Sequence, residues 1–207
     1  MRYYIADLHF YHNAMNTKMD RRGFSSAEEM NEHIITRWNE KVRRGDDIII
    51  LGDLSWGDLT VTEELLKRLK GNLYLISGNH DKALKKKERF ISYFKWIKPY
   101  EEISDNQRKV VLCHYPIICY NGQYRRDANG NPKTYMLYGH VHDTHDQRLV
   151  EQFQEITRQT TVINAEGEQQ PIPCNMINCF CGYSDYTPLS LDEWIACEAI
   201  RTGQGKD

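Results

Sequence analysis

Seven side chains able to hold a divalent cation stand just past short apolar runs. Asp7 and His9 follow Tyr3-Tyr4-Ile5, and Asp53 follows Ile48-Ile49-Ile50-Leu51. Asn79 follows Leu73-Tyr74-Leu75-Ile76, and His114 follows Val110-Val111-Leu112. His140 and His142 follow Tyr135-Met136-Leu137-Tyr138. The stretch that organises the rest is Gly78-Asn79-His80-Asp81, a tight glycine turn presenting an amide oxygen, an imidazole and a carboxylate together. Carboxylate and amide oxygens suit hard ions, and neutral imidazole widens the choice to manganese, iron, nickel, cobalt or zinc. Seven ligands are too many for one ion. Two ions about 3.5–4 Å apart that share a carboxylate would use them all, and such a pair serves to hold phosphoryl oxygens and activate a water between them.

The apolar runs read as strands whose carboxyl ends deliver these groups, the way an α/β sheet assembles a site from distant parts of a chain. The first strand spans about residues 2–6. Ser25-Ser26-Ala27-Glu28-Glu29 offers a capping box, and Met30, Ile34, Trp38 and Val42 form the buried stripe of the helix that follows. A second helix is expected over 62–70, with Val61, Leu65, Leu66 and Leu69 inward and Gly71 beyond its end. Strand, helix, strand, helix, strand implies right-handed crossovers and a largely parallel sheet. Residues 82–94 carry Lys85-Lys86-Lys87, read first as a solvated helix face and otherwise as a steering patch for an anionic substrate. From Trp96 onward the pattern is β-rich, with strands expected over 97–103, 109–113, 134–138 and 173–181. Asp127-Ala128-Asn129-Gly130-Asn131-Pro132 is turn chemistry. Residues 143–170 are polar and read as a surface excursion, with one hairpin around Glu166-Gly167. Ser190 caps a short last helix. Residues 1–207 form a single domain.

Composition supports a soluble globular protein, with 40% hydrophobic and 27% charged residues. A net charge of −2 gives no global attraction to nucleic acid, which is a disfavoured partner. No apolar run has the length of a membrane span, and the amino terminus enters a strand directly, so a cytoplasmic location without membrane partners is expected. The six cysteines contain no C-x-x-C pair and are expected as reduced thiols, Cys113 and Cys179 among them as small apolar residues. On a strand, Cys179 and Cys181 would share one face. The stripe Tyr3, Tyr4 and Trp38 is expected in the core.

Asp7-x-His9, Gly52-Asp53, Gly78-Asn79-His80-Asp81, His114 and Gly139-His140-x-His142, in that order, resemble the ordered blocks of the calcineurin-like metallophosphoesterase superfamily. The opening Asp7-Leu8-His9-Phe10 with His12-Asn13, and the closing segment from Asn178 to Leu191, resemble small bacterial stand-alone members. The resemblance implies a four-layer αββα sandwich, two mixed sheets flanked by helices. It also implies a phosphatase or phosphodiesterase in which a hydroxide bridging two divalent metals, manganese first among them, attacks phosphorus. Asp7, His9 and His142 would hold one metal, Asn79, His114 and His140 the other, and Asp53 would bridge. His80 would stabilise the transition state or protonate the leaving alkoxide, with Asp81 orienting it.

Several features depart from relatives. Trp56 stands where purple acid phosphatases carry a ligating tyrosine, which argues against a tyrosinate–iron centre. The Asp-Arg-Gly signature of Ser/Thr protein phosphatases is absent after Asp53, and Gly182 stands where small relatives often have Asp. His12, Asn13, Arg21, Tyr115 and Arg125 are the candidate substrate contacts. The loop holding Tyr120, Asn121, Tyr124, Arg125 and Arg126 could stack a base and grip a phosphate, or be its own core and solvated charge. The expected substrate is a small phosphorylated compound or nucleotide. The rival readings are a nuclease or cyclic-nucleotide phosphodiesterase and, from another class, a non-catalytic protein-binding scaffold on the same fold.

Overall fold

The computed structural model describes residues 1–82, 88–164 and 167–203. In chain order the elements are β1 (Arg2–Ile5), α1 (Ala14–Thr17), α2 (Ala27–Lys41), β2 (Asp47–Ile50), α3 (Leu59–Arg68), β3 (Asn72–Ile76), α4 (Glu88–Ile91), β4 (Phe94–Lys98), β5 (Tyr100–Asp105), β6 (Arg108–Cys113), β7 (Thr134–Tyr138), α5 (His145–Gln159), β8 (Thr161–Ile163), β9 (Gln169–Pro171), β10 (Met176–Asn178) and α6 (Leu191–Arg201). The Lys85-Lys86-Lys87 cluster lies outside the described residues.

One sheet has the order β1-β2-β3-β4 and a second β10-β7-β6-β5, while β8 and β9 pair as a separate hairpin. Tyr3, Ile48 and Leu73 sit in register, as do Ile5, Ile50 and Leu75. Side chains alternate between the two faces of a strand. Ile5, Ile48, Ile50, Leu73 and Leu75 therefore join the apolar stripes of α2 and α3, namely Met30, Ile34, Trp38, Leu65, Leu66 and Leu69. Their neighbours Tyr4, Ile49, Leu51 and Ile76 share a second core with Val110, Leu112, Leu137 and Ile177 of the other sheet. Val111, Met136, Tyr138 and Met176, on that sheet's far side, pack with Val150 and Phe153 of α5. Tyr3, Tyr4 and Trp38 are buried, as expected.

Helix starts follow their caps. Ser26 accepts from Glu29 N at the head of α2, while the Glu29 carboxylate returns to Ser25 rather than to the cap. Asp58 accepts from the amides of Thr60 and Val61, so α3 begins at Leu59, ahead of the expected 62. Ser190 and Glu193 complete a reciprocal capping box on α6, which seats Trp194 under β1 through Nε1 to the Tyr4 carbonyl (2.9 Å).

The structure corrects several expectations. The first sheet is parallel throughout; only the second is mixed, because β5 and β6 are antiparallel. Residues 97–103 are not one strand: β4 ends at Lys98 in the first sheet and β5 begins at Tyr100 in the second. Pro99, which lacks an N–H to continue a ladder, lies between them. The polar stretch 143–170 is no mere excursion, since it contains the 15-residue helix α5. Polar residues hid it because its inward face is partly polar: Gln147, Gln154 and Thr157 are buried. Gln147 Oε1 accepts from Tyr138 Oη (2.9 Å) and Asn178 Nδ2 (3.0 Å). The expected hairpin follows α5 as β8 and β9; Glu166 itself lies outside the described residues. Cys179 and Cys181 do not share a face, because β10 stops at Asn178: Cys179 joins the inter-sheet core and Cys181 the α2/α3 core. Among the described residues, no helix is long and apolar enough to cross a membrane.

Candidate metal centre

Because β1, β2 and β3 are parallel and in register, the residues that follow them emerge side by side: Asp7 and His9, Asp53, and Asn79. Parallel β6 and β7 bring His114, His140 and His142 to the same end of the second sheet. Asp7, His9, Asp53, His140 and His142 all have φ between 48° and 71°. Left-handed backbone is uncommon for residues with a Cβ and concentrates where surrounding structure holds a site in place. Glycines from other blocks make the room. A Cβ on Gly52 would lie 2.2 Å from His114 Nδ1, one on Gly78 2.1 Å from Asp53 Oδ1, and one on Gly139 2.6 Å from Asp7 Oδ2.

Two groups of donors result, Asp7–His9–His142 and Asp53–His114–His140, each with its donor atoms within 4.8 Å of one another. In the first, His9 Nε2 faces His142 Nε2 at 3.3 Å, and Asp7 Oδ1 is 3.7 Å from His142 Nε2. In the second, Asn79 Oδ1 lies 2.9 Å from His114 Nε2 and 3.1 Å from His140 Nδ1. Asp53 Oδ2 faces both groups, 3.6 Å from His9 Nε2 and 3.5 Å from His114 Nε2. Its Oδ1 accepts from His80 N (2.9 Å). Donors held about 2.0–2.2 Å from a common ion stand roughly 3–3.5 Å apart, so these spacings and this donor set fit a pair of divalent cations. Two of the second nitrogens are occupied as ligands require: His114 Nδ1 is 2.8 Å from the Leu51 carbonyl, and His142 Nδ1 is 2.7 Å from Asp20 Oδ1, whereas His9 Nδ1 is buried without a hydrogen-bond partner among the described residues.

Burial and neighbouring charges push these groups in opposite directions. Burial raises the Asp7 carboxyl to about 6 despite His142, His114 and the His140 amide. Burial also acts to raise Asp53, but the His114 hydrogen bond and charge outweigh it and hold it to about 2. Desolvation, then His142, lowers His9 to about 2. His114 and His142 are raised against desolvation, by Asp53 and Asp7 in one case and by Asp20 and Asp7 in the other. His140 is lowered by burial and by His114.

The remaining expected residues divide. The His80 ring lies beside the centre, with Nε2 3.9 Å from Asp53 Oδ2. Asp81 does not orient it. Fully buried, it accepts from the amides of Gly78 (2.8 Å), Asp53 (2.9 Å) and Leu54 (3.0 Å), tying two ligand loops together. His12 stacks on Trp56 and lies 5.6 Å, centroid to centroid, from His9. Tyr115 stands edge-on to His140 at 4.5 Å. Asn13 instead accepts from Asn16 beside α1. Arg21 is exposed. Arg125 lines a separate cavity of about 530 Å³ with Glu102, Arg108, Lys109, Arg126 and Lys133. Tyr120 belongs to the core and its hydroxyl accepts from Asn175 N, so that loop resolves toward its own packing.

Sequence reasoning passed over Asp20 and Arg22. Asp20 Oδ2 accepts from Arg22 Nε and Nη2, and Arg22 also donates to the carbonyls of Leu8 and Asp7, each at 2.8 Å. The pair buckles the first ligand loop to His142. Their only trace in the sequence is an acid and a base two apart in a polar loop, a pattern common on solvated surfaces.

Residues 3–171 match the family model of the calcineurin-like phosphoesterase superfamily domain. The chain belongs to the calcineurin-like phosphoesterase superfamily. An uncharacterised protein of the archaeon Methanocaldococcus jannaschii is 33% identical over 192 residues, covering 92% of this chain and 86% of that protein. A crystal structure of a protein of unknown function from Aquifex aeolicus has a similar fold, with a TM-score of 0.65 at 24% identity over 93% of this chain and 96% of its own. The two donor groups thus sit in a calcineurin-like phosphoesterase domain, consistent with a metal-dependent phosphoesterase.

Proposed function

We propose that the protein is a hydrolase that cleaves phosphomonoesters or phosphodiesters with two divalent cations, manganese foremost and iron, zinc, nickel or cobalt as alternatives. The supporting observation is Asp53 Oδ2, one carboxylate oxygen 3.6 Å and 3.5 Å from imidazole nitrogens of the two donor groups. In this reading Asp7, His9 and His142 hold one cation, Asn79, His114 and His140 the other, and Asp53 both. Bound there, the cations would polarise phosphoryl oxygens and supply a nucleophilic water at neutral pH. The neutral amide of Asn79 limits the negative charge that a phosphate meets. His80, beside Asp53 and still one-third exposed, reaches the substrate side, where its imidazolium would stabilise charge or protonate the departing alkoxide. Three apolar cores, one between the two sheets and one on the outer side of each, support reading the fold as a four-layer αββα sandwich, and six free thiols fit a reducing cytoplasm.

Replacing Asp53 by Asn removes the shared anionic ligand. With added manganese, turnover of p-nitrophenyl phosphate should fall by at least about a thousandfold, and bound metal measured by mass spectrometry should fall below two ions per chain. A variant that keeps wild-type turnover would refute the bridging role. Comparison with bis(p-nitrophenyl) phosphate separates monoester from diester preference and tests the nuclease and cyclic-nucleotide readings.

A further inference from the structure

Trp56 stands at the rim of the centre with half of its surface exposed (51%). One face of its indole is covered by the His12 ring, nearly parallel at 4.3 Å and 10°. The His80 ring lies 4.6 Å from the indole, centroid to centroid, tilted by 57°. The other tryptophans differ, because Trp38 and Trp194 are buried in the cores and Trp96 packs beside Tyr74. Nor is Trp56 a loosely held surface group. Its amide donates to the Phe10 carbonyl (2.8 Å), Ser55 bridges to Phe10, and Ser55 Oγ meets Thr62 Oγ1 at 2.8 Å. Gly57 lets α3 approach, since a Cβ there would lie 2.6 Å from Val61 Cγ2 and 2.8 Å from the Tyr11 ring.

An exposed aromatic face that is backed by an imidazole and fixed beside a phosphate-binding centre is a pre-organised stacking platform. An indole offers no acceptor and only one N–H donor, so it contributes a flat apolar face rather than a ligand. Tyr115, also exposed at 47%, borders the other donor group at His140 but has no ring stacked behind it. We infer that Trp56 is the specificity-determining residue for the esterified alcohol, and that the substrates are nucleoside phosphates whose base lies on its open face. This rests on the phosphoesterase reading above and goes beyond it by naming the substrate class and the residue that reads it.

The test measures kcat/KM of the manganese-loaded protein for adenosine 5′-monophosphate and for glycerol phosphate in the wild type, Trp56→Ala, Trp56→Phe and Tyr115→Ala, with circular dichroism and metal content as controls for fold and site. The wild type should prefer the nucleotide. In Trp56→Ala the ratio of the two kcat/KM values should fall about tenfold, the scale of one base–aromatic stack, mainly through KM. Trp56→Phe should restore most of it. A ratio unchanged in Trp56→Ala, or reduced as much by Tyr115→Ala, would overturn the platform. A wild type that turns over glycerol phosphate without favouring the nucleotide would overturn the substrate class alone. Turnover of neither compound would overturn this inference, and the phosphoesterase reading falls with it only if p-nitrophenyl phosphate and bis(p-nitrophenyl) phosphate are inert as well.

Discussion

Asp20 shows how a residue with no claim to reactivity can govern a metal centre. It touches the imidazole of His142 on the side away from the proposed cation and is itself gripped by Arg22. A carboxylate behind a ligating histidine fixes its tautomer and strengthens it as a donor. Asp20→Asn should therefore weaken manganese binding by about 10–100-fold in a calorimetric titration while the fold persists. Gly78→Ala is a second residue-scale test, since its methyl would fall 2.1 Å from Asp53 Oδ1 and 2.6 Å from Asp53 N. The added methyl should abolish stoichiometric metal binding, because the neighbour that would have to yield is the shared carboxylate and its own backbone. The ligand types were legible in the sequence because each is a hard or borderline donor placed after an apolar run. Asp20 was not, because its importance comes from a contact 122 residues away.

At the scale of elements, β1, β2 and β3 and the two crossover helices between them were readable from periodicity and caps, whereas β4 was merged with β5. Helix α5 was not, since Gln147 and Gln154 take inward positions where an apolar residue would signal burial. The caps make a direct prediction: Ser190→Ala should destabilise the protein by about 1 kcal/mol in urea unfolding, because Glu193 N loses its hydroxyl acceptor while the return bond from the Ser190 amide to the Glu193 carboxylate remains. Asp81 belongs here too, as a staple between the loops after β2 and β3. Asp81→Ala strands the amides of Gly78, Asp53 and Leu54 in the interior and should cost at least about 3 kcal/mol. A stable Asp81→Ala protein with an altered pH–rate profile would instead restore the role of orienting His80.

At the scale of the whole molecule, the centre joins the two sheets. Donors follow β1, β2 and β3 on one side and β6 and β7 on the other, so cations held between them would act as a cross-link. Metal at one hundred times its dissociation constant should add about 2.7 kcal/mol to stability. For a domain of this size that amounts to roughly 5–10 °C in Tm. Chelation should lower the melting temperature by that amount in differential scanning calorimetry, and manganese should restore it. An unchanged Tm would mean that the sheets meet without help from a cation. The sequence by itself determined the donor set, the blocks that carry it and the strand–helix alternation, because those depend on residue type and local periodicity. Only the tertiary structure decided that one oxygen of Asp53 faces both donor groups, that Asp81 serves backbone amides, and that Asp20, Arg22 and Trp56 border the centre. Each of those is a distance across the fold between segments that sequence spacing leaves unrelated.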